Sequence, residues 1–330
     1  MGFFKKGISQ KGYLRILQWT IVIAIFFFLG KMVWNNWSQV RDASFSVEVF
    51  PLIVSTLIFV LSYFIQVWAW YLITLRLGVA LSPSGTLESW FYSQLGKYLP
   101  GKIWLALGRF YFYNSKGKSK KNISVALYVE MVTMITAAGL IFLAVPMFQR
   151  EMGFFYSWGG YGWVVPLLFL GLVFLHPRVL EKILNWALIH WKSEPISLSI
   201  SYAHILWILF VCILSWVVGG IGFYLFINSV YPVTSEYIPF LTGALAASSM
   251  LGLIAIFAPS GLGVREGALV YLLSFVMATP VAVIISILTR IWMTVIEIGL
   301  IGVIYLFGKF QKRRSAKGHG KKEEKTKNGY

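Results

Sequence analysis

Charge is what this chain of 330 residues has least of: Asp, Glu, Lys and Arg together make up 12%, about half the usual share of a soluble domain. That scarcity excludes an ordinary water-soluble fold and a disordered chain alike. Acidic residues are scarcer still, 12 against 29 Lys and Arg, for a net charge of +17. The single cysteine, Cys212, lies in an apolar run. No disulfide framework is therefore available, and a lone buried thiol behaves as a small hydrophobe. His176, His190 and His204 stand singly at the borders of apolar runs, without partners at metal-ligand spacing. No metal and no cofactor are expected. Catalytic patterns are missing too, with no Ser-His-Asp or Cys-His arrangement. Gly117-Lys118-Ser119 has Phe112 where a phosphate-binding loop requires glycine. Gly261, Gly263 and Gly267 miss the dinucleotide spacing, and no strand precedes them. The chain is expected not to be an enzyme and to lack an ATPase motif.

What it has is apolar: 58% hydrophobic and 17% aromatic residues. Several runs exceed the roughly 18 residues that mark a membrane-spanning helix. The expected fold class is an all-α membrane protein, a polytopic bundle of about eight spans. These lie near 14–36, 50–75, 122–147, 161–176, 203–229, 238–258, 264–279 and 281–306. Lys5, Lys6, Lys11 and Arg15 before the first run resemble a signal peptide. That run is too long for one and ends in Trp and Asn rather than a cleavage site, so a retained span is expected. Two regions follow: a membrane domain over 1–307 and a basic, disordered cytoplasmic tail over 308–330. The first half of that tail can lie on anionic headgroups.

With both termini in the cytoplasm, only Lys31, Arg41 and Arg150 fall on the far side, and Arg290 lies within a span. The remaining cations are cytoplasmic, as the positive-inside rule favours. The same asymmetry accounts for the net charge without nucleic acid, because the aromatics lie inside apolar runs rather than beside the cations.

The stretch LGKYLPGKIWLALGR, Leu95–Arg109, breaks the apolar segment 86–108 at Pro100 and Gly101, with Lys97, Lys102 and Arg109 close by. If 76–121 is cytoplasmic, 86–108 enters and leaves on one side. Non-helical backbone at membrane depth must be satisfied by protein or a wet cavity, and a broken helix offers N–H groups that favour an anion. The alternative is an interfacial amphipathic helix with snorkelling lysines. A second break is IFAPSGLGVREGALVY, Ile256–Tyr271, where Pro259, Gly261 and Gly263 precede Arg265 and Glu266. Paired interruptions in the two halves of a transporter point to a central site. Ala244, Ser248 and Gly252 form a small-residue face suited to close helix contact.

Glu130, Arg290 and Glu297 are the deepest ionisable residues of the expected spans. At 1.5 Å per residue, Glu130 and Glu297 lie about 12–14 Å from the cytoplasmic side and Arg290 about 24 Å. Arg290 and Glu297 are seven apart and share a helical face with Thr294 between them. Such charges form either a structural interhelical Glu–Arg pair or a headgroup or proton-relay site.

GKYLPGKIW followed by Arg109, then Glu130, PSGLGVREG at 259–267 and Arg290 together resemble the flippase-like transmembrane domain of bacterial lysylphosphatidylglycerol synthases, over about residues 12–308. The resemblance implies a helical bundle with re-entrant elements, in a prokaryotic inner membrane, that binds and translocates a charged phospholipid. In the synthases a soluble aminoacyl-transferase domain follows the membrane part. Here 22 residues follow Gly308, and aminoacyl transfer is not expected of this chain.

The expectation is a lipid-handling membrane protein that binds and translocates an anionic phospholipid or polyprenyl-phosphate lipid. Lys102, Arg109, Glu130, Arg265, Glu266, Arg290 and Glu297 would bind it, and Pro100, Gly101, Pro259, Gly261 and Gly263 would line the cavity. The alternative is an accessory subunit that presents lipid to a membrane-associated glycosyl- or acyltransferase. The cation distribution makes the orientation testable. Cysteines placed at Ser115 and Ser315 should resist a membrane-impermeant maleimide applied from the periplasmic side of intact cells. Efficient labelling there would reverse the orientation.

Overall fold

A computed structural model describes residues 45–98, 103–148, 164–190, 200–255 and 261–327. It also describes scattered positions between 20 and 42 and at 162, 195, 197 and 198, and only the backbone over 310–327. Among the described residues every long element is a helix: α1 Val49–Arg76, α2 Pro83–Gln94, α3 Ile103–Ser115, α4 Lys120–Phe148 and α5 Val164–Phe174. They continue as α6 Pro177–His190, α7 Tyr202–Val230, α8 Ile238–Ile254, α9 Val264–Leu273 and α10 Thr279–Lys327. A short 3₁₀ turn, Leu95–Tyr98, extends α2.

Five of these segments are long and apolar enough to cross a membrane: Val49–Arg76, Lys120–Phe148, Tyr202–Val230, Ser235–Ile254 and Thr279–Lys309. They lie within a few residues of five of the expected spans. Most of the first expected span, 14–36, falls outside the described residues. The fourth and seventh are shorter than expected. Helix α5 has 11 residues and α9 has 10, about 15 Å each and half the hydrocarbon thickness. Apolarity continues past the end of α9 into the turn at 274–276, which is why composition alone overextends it. The helical backbone of α10 continues to Lys327, through residues whose composition suggested disorder. Lys and Glu are good helix formers.

Helix α8 is the centre of the bundle. It is buried without interruption from Phe240 to Ser248, as expected of a helix that is apolar all round. Ala244, Ser248 and Gly252 are among its buried residues. Helices α1 and α7 pack along one another, fastened by hydroxyls that donate across the interface. Ser55 Oγ donates to Gly222 O at 2.7 Å and Ser62 Oγ to Ser215 O at 3.0 Å. In hydrocarbon such small-residue contacts and interhelical hydrogen bonds replace the hydrophobic drive.

The first break is a re-entrant hairpin. Gly96 lies against Trp104 and Leu105, while Gly108 lies against Ser93, the register of two antiparallel helices. The hairpin also runs antiparallel to α10, because Glu88 lies beside Gly308 whereas Lys97 pairs with Glu297. From Gly308 to Glu297 is 11 residues, about 16 Å. Lys97 therefore lies about halfway through the core, and the interfacial-helix alternative is set aside.

The second break approaches from the other end. Gly252 near the end of α8 lies against Arg265 at the start of α9, so the two helices meet at the break. A short turn then joins α9 to the start of α10. Two glycines make that approach feasible. Gly261 has φ +67°, and a Cβ there would lie 2.5 Å from Gly252 O, while Gly263 has φ +82°. Side chains rarely adopt such backbone. Arg265 contacts Met293 of α10, which lies about 24 Å along the helix from the end of the span at Lys309. Arg265 is thus within the membrane rather than in the surface loop that charge counting assigned to it.

The tightest backbone approach in the first hairpin gives a test. A Cβ at Gly96 would lie 2.6 Å from Leu105 N and Trp104 C, atoms that cannot yield without moving α3. Gly96→Ala should lower stability by about 1–3 kcal/mol, read as a reduced melting temperature in detergent. Gly139→Ala, which meets nothing within 4 Å, should not.

Candidate functional site: charges gathered along the last helix

Arg290 and Glu297 do not pair with each other. Each receives one of the two breaks, about 10 Å apart along α10. Arg290 Nη1 donates to Glu266 Oε1 at 2.5 Å, and the other carboxylate oxygen, Oε2, accepts from Gly263 N at 2.7 Å. Glu266 thus closes the first turn of α9 with its own side chain, as an N3 glutamate does. This occupies a donor that the sequence pattern suggested for a ligand. Ser286 Oγ donates to Glu266 O at 3.3 Å, a second tie between α9 and α10.

Lys97 of the first hairpin forms a salt bridge with Glu297 Oε2. The lysine side chain keeps 33% of its accessibility and the carboxylate 1%. The pair therefore reaches from the open side of the hairpin into the bundle. Arg265 sits between the two pairs, close enough to feel the charges of Arg290, Glu266 and Glu297. Among the described residues no carboxylate forms a salt bridge with it, and its Nη2 lies 3.3 Å from Met293 Sδ, a weak acceptor. Lys97, Arg265 and Arg290 thus stand against Glu266 and Glu297. Among the described residues the cluster holds one positive charge in excess.

Arg109 belongs to a separate, closed arrangement. Its Nη1 donates to both oxygens of Glu130, at 2.6 and 2.5 Å, and its Nε donates to Ser93 Oγ at 3.1 Å. The guanidinium carbon lies 4.5 Å from the centre of the Trp70 ring and 5.6 Å from that of Trp90. Trp70 is held edge-on to Tyr113 and donates its Nε1 hydrogen to Tyr113 Oη at 2.8 Å. Arg109 is 1% exposed. Carboxylate, hydroxyl and aromatic faces together replace its lost water. This arrangement bolts α3 to α4 and α1, and leaves Arg109 no face for a headgroup. Tyr63 lies between the two groups of charges, 6.2 Å from the Trp90 ring and within reach of the Arg265 charge.

Arg265, Glu266, Arg290 and Glu297 are therefore brought together, with Gly261 and Gly263 shaping the turn beside them. Arg109 and Glu130 form their own pair. Lys102, Pro100, Gly101 and Pro259 lie outside the described residues. Sequence reasoning singled out Lys97 only as a neighbouring cation and missed it as the partner of Glu297. It also missed the pocket of Trp70, Trp90, Ser93 and Tyr113 around Arg109. The signal for Lys97 was its place in the opening motif. For the tryptophans there was none, because aromatics are spread through every span. Among the described residues no group of three or more His, Cys, Asp or Glu is placed to hold a metal ion.

Helices that cross the membrane, two half-depth breaks and charges gathered along one helix define a multi-pass membrane protein with an internal polar site. The chain belongs to the family of the lysylphosphatidylglycerol synthase TM region, whose model matches residues 15–301. No curated protein matches the chain. Membership makes it an integral membrane protein of a lipid-handling family.

The closed Arg109 pocket makes a stability prediction. Arg109→Met should cost about 3–5 kcal/mol, because it leaves Glu130 charged, enclosed and unpaired. Arg109→Met combined with Glu130→Gln should recover part of that loss, measured by melting temperature and yield of folded protein. Additive losses would show that the pair is not coupled.

Proposed function

We propose that this protein binds the phosphate of an anionic membrane lipid at the mid-membrane cluster and moves the lipid between leaflets, without chemical conversion. One observation carries the proposal: among the described residues three cations face two carboxylates, and Arg265 has a thioether rather than a carboxylate against its guanidinium. A phosphodiester carries one negative charge, the amount that would neutralise the excess. Arginine can also grip it through two parallel hydrogen bonds.

The two hairpins support movement rather than storage. One reaches the cluster from the end where α10 leaves the membrane, and the other reaches it from the opposite end. A site approached by broken elements from both faces is the arrangement that alternating-access transporters use. The motifs contain no ATPase loop, so movement would be downhill or coupled to an ion gradient. Glu266 and Glu297 hold Arg290 and Lys97 in place, and Arg265 is the anchor. The cytoplasmic placement of both termini and a prokaryotic plasma membrane belong to the same proposal.

Reconstitution with headgroup-labelled phosphatidylglycerol tests it. The parent should transfer the lipid across the bilayer. Arg265→Gln should reduce binding and transfer about tenfold, the scale of one lost charged hydrogen bond, without lowering the melting temperature. Arg265→Lys should retain part of both. Binding without transfer would instead identify a subunit that presents lipid to a partner transferase. Unchanged binding in Arg265→Gln would remove the cluster from the site.

A further inference from the structure

The outer face of the first hairpin carries a feature that the charge cluster does not use. Tyr92, Leu95 and Gly96 of the first arm, at helical spacing, face Trp104, Leu107 and Gly108 of the second. Between them lies a groove of about 350 Å³. Tyr111 also lines it, and among the described residues no charged one does. Ser93 on its wall has its Oγ already committed in both directions, donating to Trp90 O at 2.7 Å and accepting from Arg109 Nε at 3.1 Å. Its described residues therefore offer no charge to a headgroup, and its serine has no hydrogen left to donate.

Gly108 lines it without a side chain. A Cβ there would meet nothing closer than Ser93 at 3.7 Å, so the position is open rather than tightly packed. Leu95 and Trp104 on its rim are 46% and 45% exposed, at the level of α10 that lies inside the membrane. Its deep end is Gly96, adjacent to Lys97 of the charge cluster.

We infer that this groove is a binding site for a single acyl chain of a membrane lipid. The chemistry favours hydrocarbon: walls mainly of aliphatic and aromatic carbon, with the Tyr92 and Tyr111 phenols and an already engaged serine as their polar groups, and a position within the bilayer core. Gly96 on its wall is followed in the chain by Lys97, whose side chain turns to Glu297 of α10, so a phosphate at the cluster would lie within one residue of a chain in the groove. The inference rests on the lipid-binding function proposed above, to which it adds the place of one chain. A lipid anchored by its phosphate at the cluster leaves that chain along the hairpin, and the hairpin and the lipid then move as one body.

The test uses the full-length protein in phosphatidylcholine vesicles doped with phosphatidylglycerol that carries a photoactivatable diazirine in one acyl chain. Adducts are mapped by mass spectrometry. The expected result is several-fold enrichment at Leu95, Trp104 and Leu107 over Leu57 and Leu61, exposed apolar residues of α1 that meet bulk lipid. Gly108→Leu, which fills the groove from an open position, should abolish that enrichment and leave the α1 adducts unchanged. Should Gly108→Leu not fold, the parent comparison between hairpin and α1 decides alone. Equal labelling of both surfaces would overturn the inference. So would cross-links from the hairpin to residues 14–36 in place of lipid, because the groove would then be filled by the chain itself. A diacylglycerol probe of the same chain separates the two proposals. Groove labelling that persists while Arg265→Gln leaves headgroup binding unchanged would retain the chain site and reject the phosphate site. Loss of groove labelling with intact Arg265-dependent binding would do the reverse.

Discussion

Everything in this membrane domain turns on one face of α10, where Arg290 and Glu297 stand seven residues apart. Hydrocarbon satisfies no polar group, so a chain that interrupts its helices at mid-membrane must supply partners for what the interruptions expose. Here α10 supplies them. Arg290 takes the carboxylate of Glu266, which in turn closes the first turn of α9. Glu297 takes Lys97 from the hairpin that arrives from the other side. A regular spanning helix thus serves as the wall to which two irregular elements are pinned. Without it, each break would bring an unpaired charge and open backbone groups into lipid.

The charges are paired by position as much as by sign. Arg109 and Glu130 neutralise each other inside an aromatic pocket, and Trp70, Trp90 and Ser93 fill the remaining directions around the guanidinium. Such an arginine stiffens the bundle. Arg265 has the opposite surroundings: a sulfur atom for a neighbour, and two carboxylates nearby that are already engaged by other cations. The two arginines stood at equivalent places in their motifs, each shortly after a break. Only the three-dimensional neighbours distinguish a fastening from a free anchor.

That contrast marks how far the sequence could be read. Five helices long and apolar enough to span follow from run length, because about 20 apolar residues leave the chain little else to do in a bilayer. The two breaks follow from proline and glycine, which a continuous helix does not favour. The deep charges follow from their rarity. What could not be read is pairing across space. Helical periodicity put Arg290 and Glu297 on one face and so suggested one shared site, but it carries no information on which element faces that side. Lys97 lies 200 residues from Glu297 in the chain. The overextension of the seventh span has the same origin, since hydropathy does not register the turn at 274–276 within an apolar run.

The opposed approach of the hairpins also bears on how a phosphate could enter and leave. In the structure Glu297 is enclosed while Lys97 remains one-third accessible, so the first pair is reachable from the hairpin side. A phosphate arriving there would compete with Glu297 for Lys97 while gaining Arg265, exchanging one ion-paired arrangement for another. Such an exchange would leave Glu297 enclosed without that partner, a cost that opposes binding and, under the proposed function, favours release: a site that held its ligand much more strongly than it holds its own carboxylates would bind without releasing. The second pair, Glu266 with Arg290, is tied into the helix start by Gly263 and Ser286. Opening it would mean unmaking the first turn of α9 as well. Under the proposed function, the Lys97 hairpin is therefore the element that yields first, and the α9 break is the fixed wall against which it moves.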